Sequence, residues 1–224
     1  KETGLKPIIG CEAYVASTSR HDRVKSKNHH LVLLAKDRQG YANLMHLVSM
    51  GYREGFYYKP RIDKELLKER SEGLIALTAC LGGEVANNCL HGELDKAKQA
   101  ALEYKSIFQP GHFFLELQEN GIPEQKTAND HLKQLAKDVD LPLIATNDCH
   151  YKMRTDAVAH DVLMAIQYGV SRNDPKRMRH QTDAFYIRSP EEMASLFRDC
   201  PEAVENTLRV RDMINLELVL GKPM

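Results

Sequence analysis

Leu141-Pro142-Leu143-Ile144-Ala145-Thr146-Asn147-Asp148-Cys149-His150 is a short apolar run that ends in a cluster of polar, ligand-type side chains. Its length, with Pro142 before it and Asn147 after it, predicts a strand buried on both faces. Pro123–Val139, just upstream, repeats Leu132, Leu135, Ala136 and Val139 at helical spacing and begins with Pro123, as helix N-termini prefer. In an extended chain residues i and i+2 share a face, so Asp148 and His150 are expected to point the same way at the strand's C-terminal end. Active sites of α/β barrels collect at that end. An Asp and a His together offer a hard oxygen and a borderline nitrogen to a metal. A helix-capping Asp148 beside a surface His150 satisfies the same spacing, and both readings stand at this point.

Working outward, the same alternation recurs. Apolar runs at Pro7–Val15, His30–Lys36, Gly73–Ala79 and His112–Gln118 read as strands, while Asp37–Gly51 and Glu93–Phe108 have helical period. Strands alternating with helices mean βαβ units and a largely parallel sheet, either open or closed into a barrel. One connection differs: Ser17–Asn28 is polar, basic and unpatterned. It predicts a mobile loop between two strands that pair antiparallel.

From Met153 onward strands disappear. Asp156–Tyr168 reads as a helix, Gly169–Thr182 as an irregular basic stretch with Arg172, Lys176, Arg177, Arg179 and His180. Ser189-Pro190-Glu191-Glu192 then opens a helix with Ser as cap, Pro at the first position and Glu at the third. Asp199-Cys200-Pro201-Glu202-Ala203 opens another, through Met213. The division expected is residues 1–152 as an α/β domain and 153–224 as a helical connection to something further. Leu5-Lys6-Pro7 runs straight into a strand, and Leu216–Leu220 is followed only by Gly221-Lys222-Pro223-Met224. Both edges read as cut, as in a piece of a longer polypeptide.

The 224 residues are 42% hydrophobic and carry 31 Lys+Arg against 31 Asp+Glu, a formal charge of zero. That balance excludes a strongly basic nucleic-acid clamp as the main feature, though a local patch remains compatible. The five scattered cysteines, with no C-x-x-C pair, read as reduced thiols of a cytosolic protein. No run approaches a membrane span, and the opening residues lack a signal peptide's apolar region.

Two further stretches could carry chemistry. In Gly10-Cys11-Glu12-Ala13-Tyr14, Glu12 interrupts an apolar strand, and a buried carboxylate needs a partner or a cation. A lysine would serve as well as a metal. In Asn28-His29-His30-Leu31-Val32 the paired histidines are either ligands or the polar end of the loop. An antiparallel return would leave His30 some distance from Glu12, which argues against a shared ion. Gly82-Gly83 suits a tight turn or an anion at a helix start. His46 lies within a helical stretch, His91 precedes a Gly at a helix end, where imidazole favours the dipole, and His112 and His131 have no carboxylate nearby at ligand spacing.

Taken together, Ile8–Val15, His30–Lys36, Gly40–Leu44, Leu77–Glu84, Phe114–Gln118, Pro123–Gln125, Ala145–Tyr151, Asp174–Arg179 and Ser189–Met193 resemble, in order and across nearly the whole chain, the alpha-subunit family of bacterial replicative C-family polymerases (polymerase III). The resemblance implies a PHP domain, a distorted (β/α)7 barrel of TIM-like type that here lacks its first strands, followed by a helical tail towards the polymerase palm. It implies Glu12, His30, Asp148 and His150 as ligands of divalent metals (zinc or manganese), with Asn120 lining the site where the family often has a histidine. The family's opening His-x-His and Asp-His motifs, and the palm with its catalytic aspartates and magnesium, fall outside this chain. As partners it implies primer-template DNA, deoxynucleoside triphosphates, the sliding clamp and a proofreading exonuclease. The implied activity of the intact protein is DNA-directed DNA polymerisation, which this fragment alone would not perform. Its PHP domain would act as a metal-dependent 3′-5′ exonuclease or as a structural platform. Two other readings are a stand-alone PHP phosphoesterase, of histidinol-phosphatase type, and an interaction module with a decayed site.

Overall fold

A computed structural model describes residues 4–218 and 221. The strands are β1 (Gly10–Ala16), β2 (Asn28–Ala35), β3 (Arg61–Ile62), β4 (Leu74–Leu77), β5 (Phe113–Gln118) and β6 (Leu143–Thr146). The helices are α1 (Arg38–Arg53), α2 (Lys64–Arg70), α3 (Glu84–Leu90), α4 (Leu94–Ile107), α5 (Pro123–Val139), α6 (Ala157–Gln167), α7 (Pro190–Leu196) and α8 (Pro201–Met213). The expected strands and long helices are all present within a few residues of their sequence bounds. Among the elements not foreseen are the short β3, α2 and α3. Seven residues or fewer leave too little periodicity to read, although Asp63 capping Leu66 N–H is a local start signal for α2. The expectations for the last residues fall partly outside the described ones.

Sheet order is β3-β1-β2-β4-β5-β6. β1 pairs antiparallel with β2 and β2 antiparallel with β4, whereas β1–β3, β4–β5 and β5–β6 are parallel. Only β2 therefore runs against the rest. The strands of the described residues form a mixed α/β sheet with two edges, β3 and β6.

The alternation of side chains divides this sheet into two faces. Leu31, Leu33 and Ala35 of β2, Phe113, Leu115 and Leu117 of β5, and Leu143 and Ala145 of β6 join the main core with residues of α1 to α5. The other face carries Ile75, Leu77, Phe114 and Ile144, which pack against Val210 at the end of α8 and Ile214 just after it. Ala203 of α8, with Phe197 and Cys200, enters the main core instead. The helical tail is thus packed against the sheet at its β6 side, where Asn206 Nδ2 also donates to the Leu143 carbonyl at 2.7 Å.

The 17–28 connection is not the loose loop its composition predicts. Arg61, 1% exposed, donates to the carbonyls of Gly55 (3.0 Å), Arg20 (3.2 Å) and Asp22 (2.6 Å). Arg20 in turn pairs with Asp63 at 3.0 Å and Glu54 at 2.8 Å. Residues distant in sequence supply both anchors, so the local pattern could not reveal them.

Candidate metal centre

Because β2 is reversed, its first residues lie beside the last residues of β1. The register sets Tyr14 opposite His30 and Glu12 opposite Val32. Glu12 and His30 are then diagonal neighbours on one face, within reach of long side chains. His30 Nδ1 lies 2.5 Å from Glu12 Oε1. The expected separation of these two residues is overturned: the loop end and the C-terminal end of β1 are the same place. Glu12 is also not buried as predicted; its side chain is 48% exposed and that of His30 30%. The pair shifts in opposite directions. The hydrogen bond from His30 holds the Glu12 carboxyl below its usual range against partial burial. Contact with Cys80, then with Glu12, raises His30 to about 10.

Cys80 is the member that the sequence reading missed. Its Sγ is 3.5 Å from His30 Nδ1, and ligand atoms of Glu12, His30 and Cys80 all lie within 4.8 Å of one another. A single cysteine after a strand carries no spacing signal; only the position of β4 beside β2 brings it to His30. The neighbouring glycine has a packing reason. A Cβ on Gly82 would sit 3.2 Å from the His30 ring, and one on Gly83 would lie only 1.9 Å from the Thr78 carbonyl. Gly82-Gly83 is a tight turn against an imidazole, and Gly83 caps the seven-residue α3 without a side-chain bond. His29 is not part of this group; burial depresses its pKa, with Glu84 opposing and Lys27 and Lys64 adding to the fall.

Asp148 and His150 come from the end of β6, but not by extended alternation. The strand stops at Thr146 and Asp148 takes a left-handed φ of 49°, so the i, i+2 argument does not hold there. His150 Nδ1 instead lies 2.8 Å from the Asp148 carbonyl and 4.0 Å from its carboxylate. A proton on Nδ1 bonded to that carbonyl leaves Nε2 as the free donor atom, the usual arrangement of a metal-binding histidine. The Asp148 carboxyl is raised by burial, with His150 opposing and Glu12 adding to the rise. Among the described residues the close donor group is Glu12, His30 and Cys80, and Asp148 and His150 stand outside it.

Glu116, fully buried on β5, ties two of these strand ends together. Its carboxylate accepts from Ala79 N–H (2.9 Å), the residue before Cys80, from Thr146 Oγ1 (2.5 Å), two residues before Asp148, and from Gln118 Nε2 (3.0 Å). Burial raises its pKa while those three donors oppose the rise. Asn120 is fully buried too. Its N–H donates to Gln125 Oε1 (2.7 Å) and its carbonyl accepts from Thr182 Oγ1 (2.6 Å). With the amide nitrogen turned towards them, its side chain donates to the carbonyls of Ala184 and Asn147 at 3.2 Å.

Carboxylate, imidazole and thiol meet beside a mixed α/β sheet in a group that could hold a divalent metal. The chain belongs to the PHP domain family, whose model matches residues 1–120. Over almost all of its length it aligns with polymerase alpha subunits. It is 46% identical to the DNA polymerase III subunit alpha of Thermus aquaticus over 99% of this chain. The figures for the proteins of the same name are 45% over 95% in Borreliella burgdorferi and 43% over 99% in Treponema pallidum. The chain spans 19% of the length of each of these relatives. They are polymerase subunits, which decides against the stand-alone phosphoesterase. Among the described residues no helix is long and apolar enough to cross a membrane.

Proposed function

We propose that this chain is the metal-binding PHP segment of a replicative DNA polymerase alpha subunit. Residues 1–152 form the partial PHP barrel in this reading, and 153–224 lead towards the palm. The observation that carries it is the convergence of Glu12, His30 and Cys80 in a chain so similar to polymerase alpha subunits. Asp148 and His150 complete the donor set from β6. A thiolate among nitrogen and oxygen ligands favours zinc over manganese at the Cys80 position. A metal bound there would supply an activated water and a polarised phosphoryl oxygen. This chain's residues hold the ligands in place: Glu116 fixes the Ala79–Cys80 and Thr146 ends, and the Asp148 carbonyl sets the His150 tautomer.

In the intact cytoplasmic protein the palm extends primer-template DNA from deoxynucleoside triphosphates with magnesium, alongside the sliding clamp and the other replicase subunits. The PHP domain removes 3′ nucleotides. A second reading, a structural platform that docks a separate proofreading exonuclease, is favoured by Asn120, whose side-chain amide is engaged with the Ala184 and Asn147 carbonyls and whose backbone groups bond Gln125 and Thr182. Elemental analysis of the complete polypeptide, with degradation of a 3′-labelled primer on the same sample, separates the two. Bound metal with metal-dependent loss of the 3′ label supports the nuclease. Bound metal without degradation supports the platform, and absence of metal overturns the metal centre.

A further inference from the structure

The segment Ala184–Arg188 belongs to the tail, yet it runs beside the turn that carries Asp148 and His150. His150 N–H donates to the Phe185 carbonyl at 2.8 Å, and Ile187 N–H to the Lys152 carbonyl at 3.2 Å. Asn147 Nδ2 donates to the Tyr186 carbonyl. The Phe185 ring meets the His150 ring edge to face, centroids 5.1 Å apart. Arg188 Nη1 donates to Asn147 Oδ1 at 3.0 Å and to the Glu119 carbonyl at 2.5 Å, and its guanidinium lies over the Tyr186 ring at 5.7 Å.

Between Asn147 and His150 sits Asp148, whose left-handed φ of 49° is more accessible to Asp than to most residues with a side chain but still carries a cost that its surroundings must offset. Asn147, just before it, is gripped through both atoms of its amide, by Arg188 and by the Tyr186 carbonyl. His150, just after it, is held through backbone and ring by Phe185. Arg188 also spans to Glu119, and so ties the β6 turn to the end of β5. Its charged donor reaches two neutral acceptors, a stronger arrangement than an ordinary hydrogen bond.

We propose that Arg188 is a positioning residue for the metal centre: through Asn147 and Glu119 it holds the turn that presents Asp148 and His150. This inference rests on the metal centre proposed above. Arg188 contacts no proposed ligand side chain and acts only through the turn.

The test uses the complete polypeptide in three forms besides the parent: Arg188→Gln, Arg188→Lys, and Ile187→Ser as a control in the same segment, where the Ile187 side chain is 62% exposed. Zinc affinity is measured by competition with a chromophoric chelator, thermal midpoint by scanning calorimetry, and coordination by the visible spectrum of the cobalt-substituted proteins. Arg188→Gln is expected to weaken zinc binding about 10–100-fold, the range seen when residues supporting metal ligands are removed, with Ile187→Ser unchanged. Arg188→Lys should fall between, since it keeps a charged donor on a side chain one bond shorter than the one that brings Nη1 to both acceptors. In the cobalt form the sulfur-to-metal band of Cys80 should survive in Arg188→Gln while the ligand-field bands change. Should the glutamine variant not fold, the lysine variant decides by the same readouts. Parent-like affinity and spectrum in a folded Arg188 variant overturn the positioning role. A parent protein that binds no zinc or cobalt overturns the metal centre and this inference with it.

Discussion

His30 and Glu12 are diagonal neighbours across the β1–β2 pair, with Nδ1 and Oε1 2.5 Å apart, and Cys80 closes the group from the end of β4. Three side chains separated by 18 and 50 residues meet because one reversed strand starts where its neighbour ends.

With Asp148, in the turn after β6, proposed as a further ligand beside Cys80, in the turn after β4, removing either should have the same kind of effect. Asp148→Ala and Cys80→Ser are each expected to lower zinc stoichiometry or affinity in the complete protein, by about tenfold or more. Cys80→Ser should also abolish the sulfur band of the cobalt-substituted protein. Unchanged metal content in Asp148→Ala would remove that residue from the site.

Gly82 offers a finer test. A methyl group there meets the His30 ring at 3.2–3.3 Å, tighter than ordinary contact, so the ring must move by a few tenths of an ångström. Gly82→Ala should weaken metal binding with little change in thermal midpoint. Gly83→Ala would place its Cβ 1.9 Å from the Thr78 carbonyl and should destabilise the fold outright. Equal loss of stability in both variants would show that Gly82 serves the turn and not the imidazole.

The 17–28 connection owes its order to Arg61. Replacing it by Met keeps an unbranched apolar stem and leaves the carbonyls of Gly55, Arg20 and Asp22 without their donor. A loss of about 2–4 kcal/mol is expected from denaturant unfolding. Hydrogen exchange should rise first in residues 17–28. A loss under 0.5 kcal/mol would mean that Arg20, through Asp63 and Glu54, secures the loop alone.

Acid should release a different segment. Arg177, then Arg172, hold the Asp161 carboxyl below its usual value, and Arg177 approaches it at 2.6 Å. A depressed carboxyl contributes stability above its unfolded pKa, about 3.9, and loses it as pH falls through the lower folded value. The tie between α6 and residues 171–179 should therefore persist from pH 7 to pH 5 and fail only below about pH 4. Exchange corrected for its intrinsic rate measures this. Asp161→Asn should expose the same residues at neutral pH, and a transition near pH 6 in the parent would contradict the assignment.

Much of this molecule was legible in its sequence. Pro123 at the start of α5, the capping box Ser189–Glu192 of α7, and the apolar runs of β1, β2, β4, β5 and β6 are local signals read without a partner. The order of those signals determined the α/β class, and the composition of the 17–28 connection suggested the antiparallel pair β1–β2. The alternation of β6 also marked Asp148 and His150 as worth attention, though for a reason the left-handed backbone at Asp148 removes. What only the tertiary structure decided is who meets whom. Cys80 next to His30, Glu116 between Ala79 and Thr146, Arg188 on Asn147 and Arg61 under the 17–28 loop are contacts between segments 30 or more residues apart, a few of them set by β-strand order and others by the tail folding back. Local propensity depends on neighbours along the chain, whereas these contacts depend on strand pairing and on which side of the sheet each residue faces. A slip of one residue in the β1–β2 register would turn His30 away from Glu12, and no stretch of sequence read alone records that register.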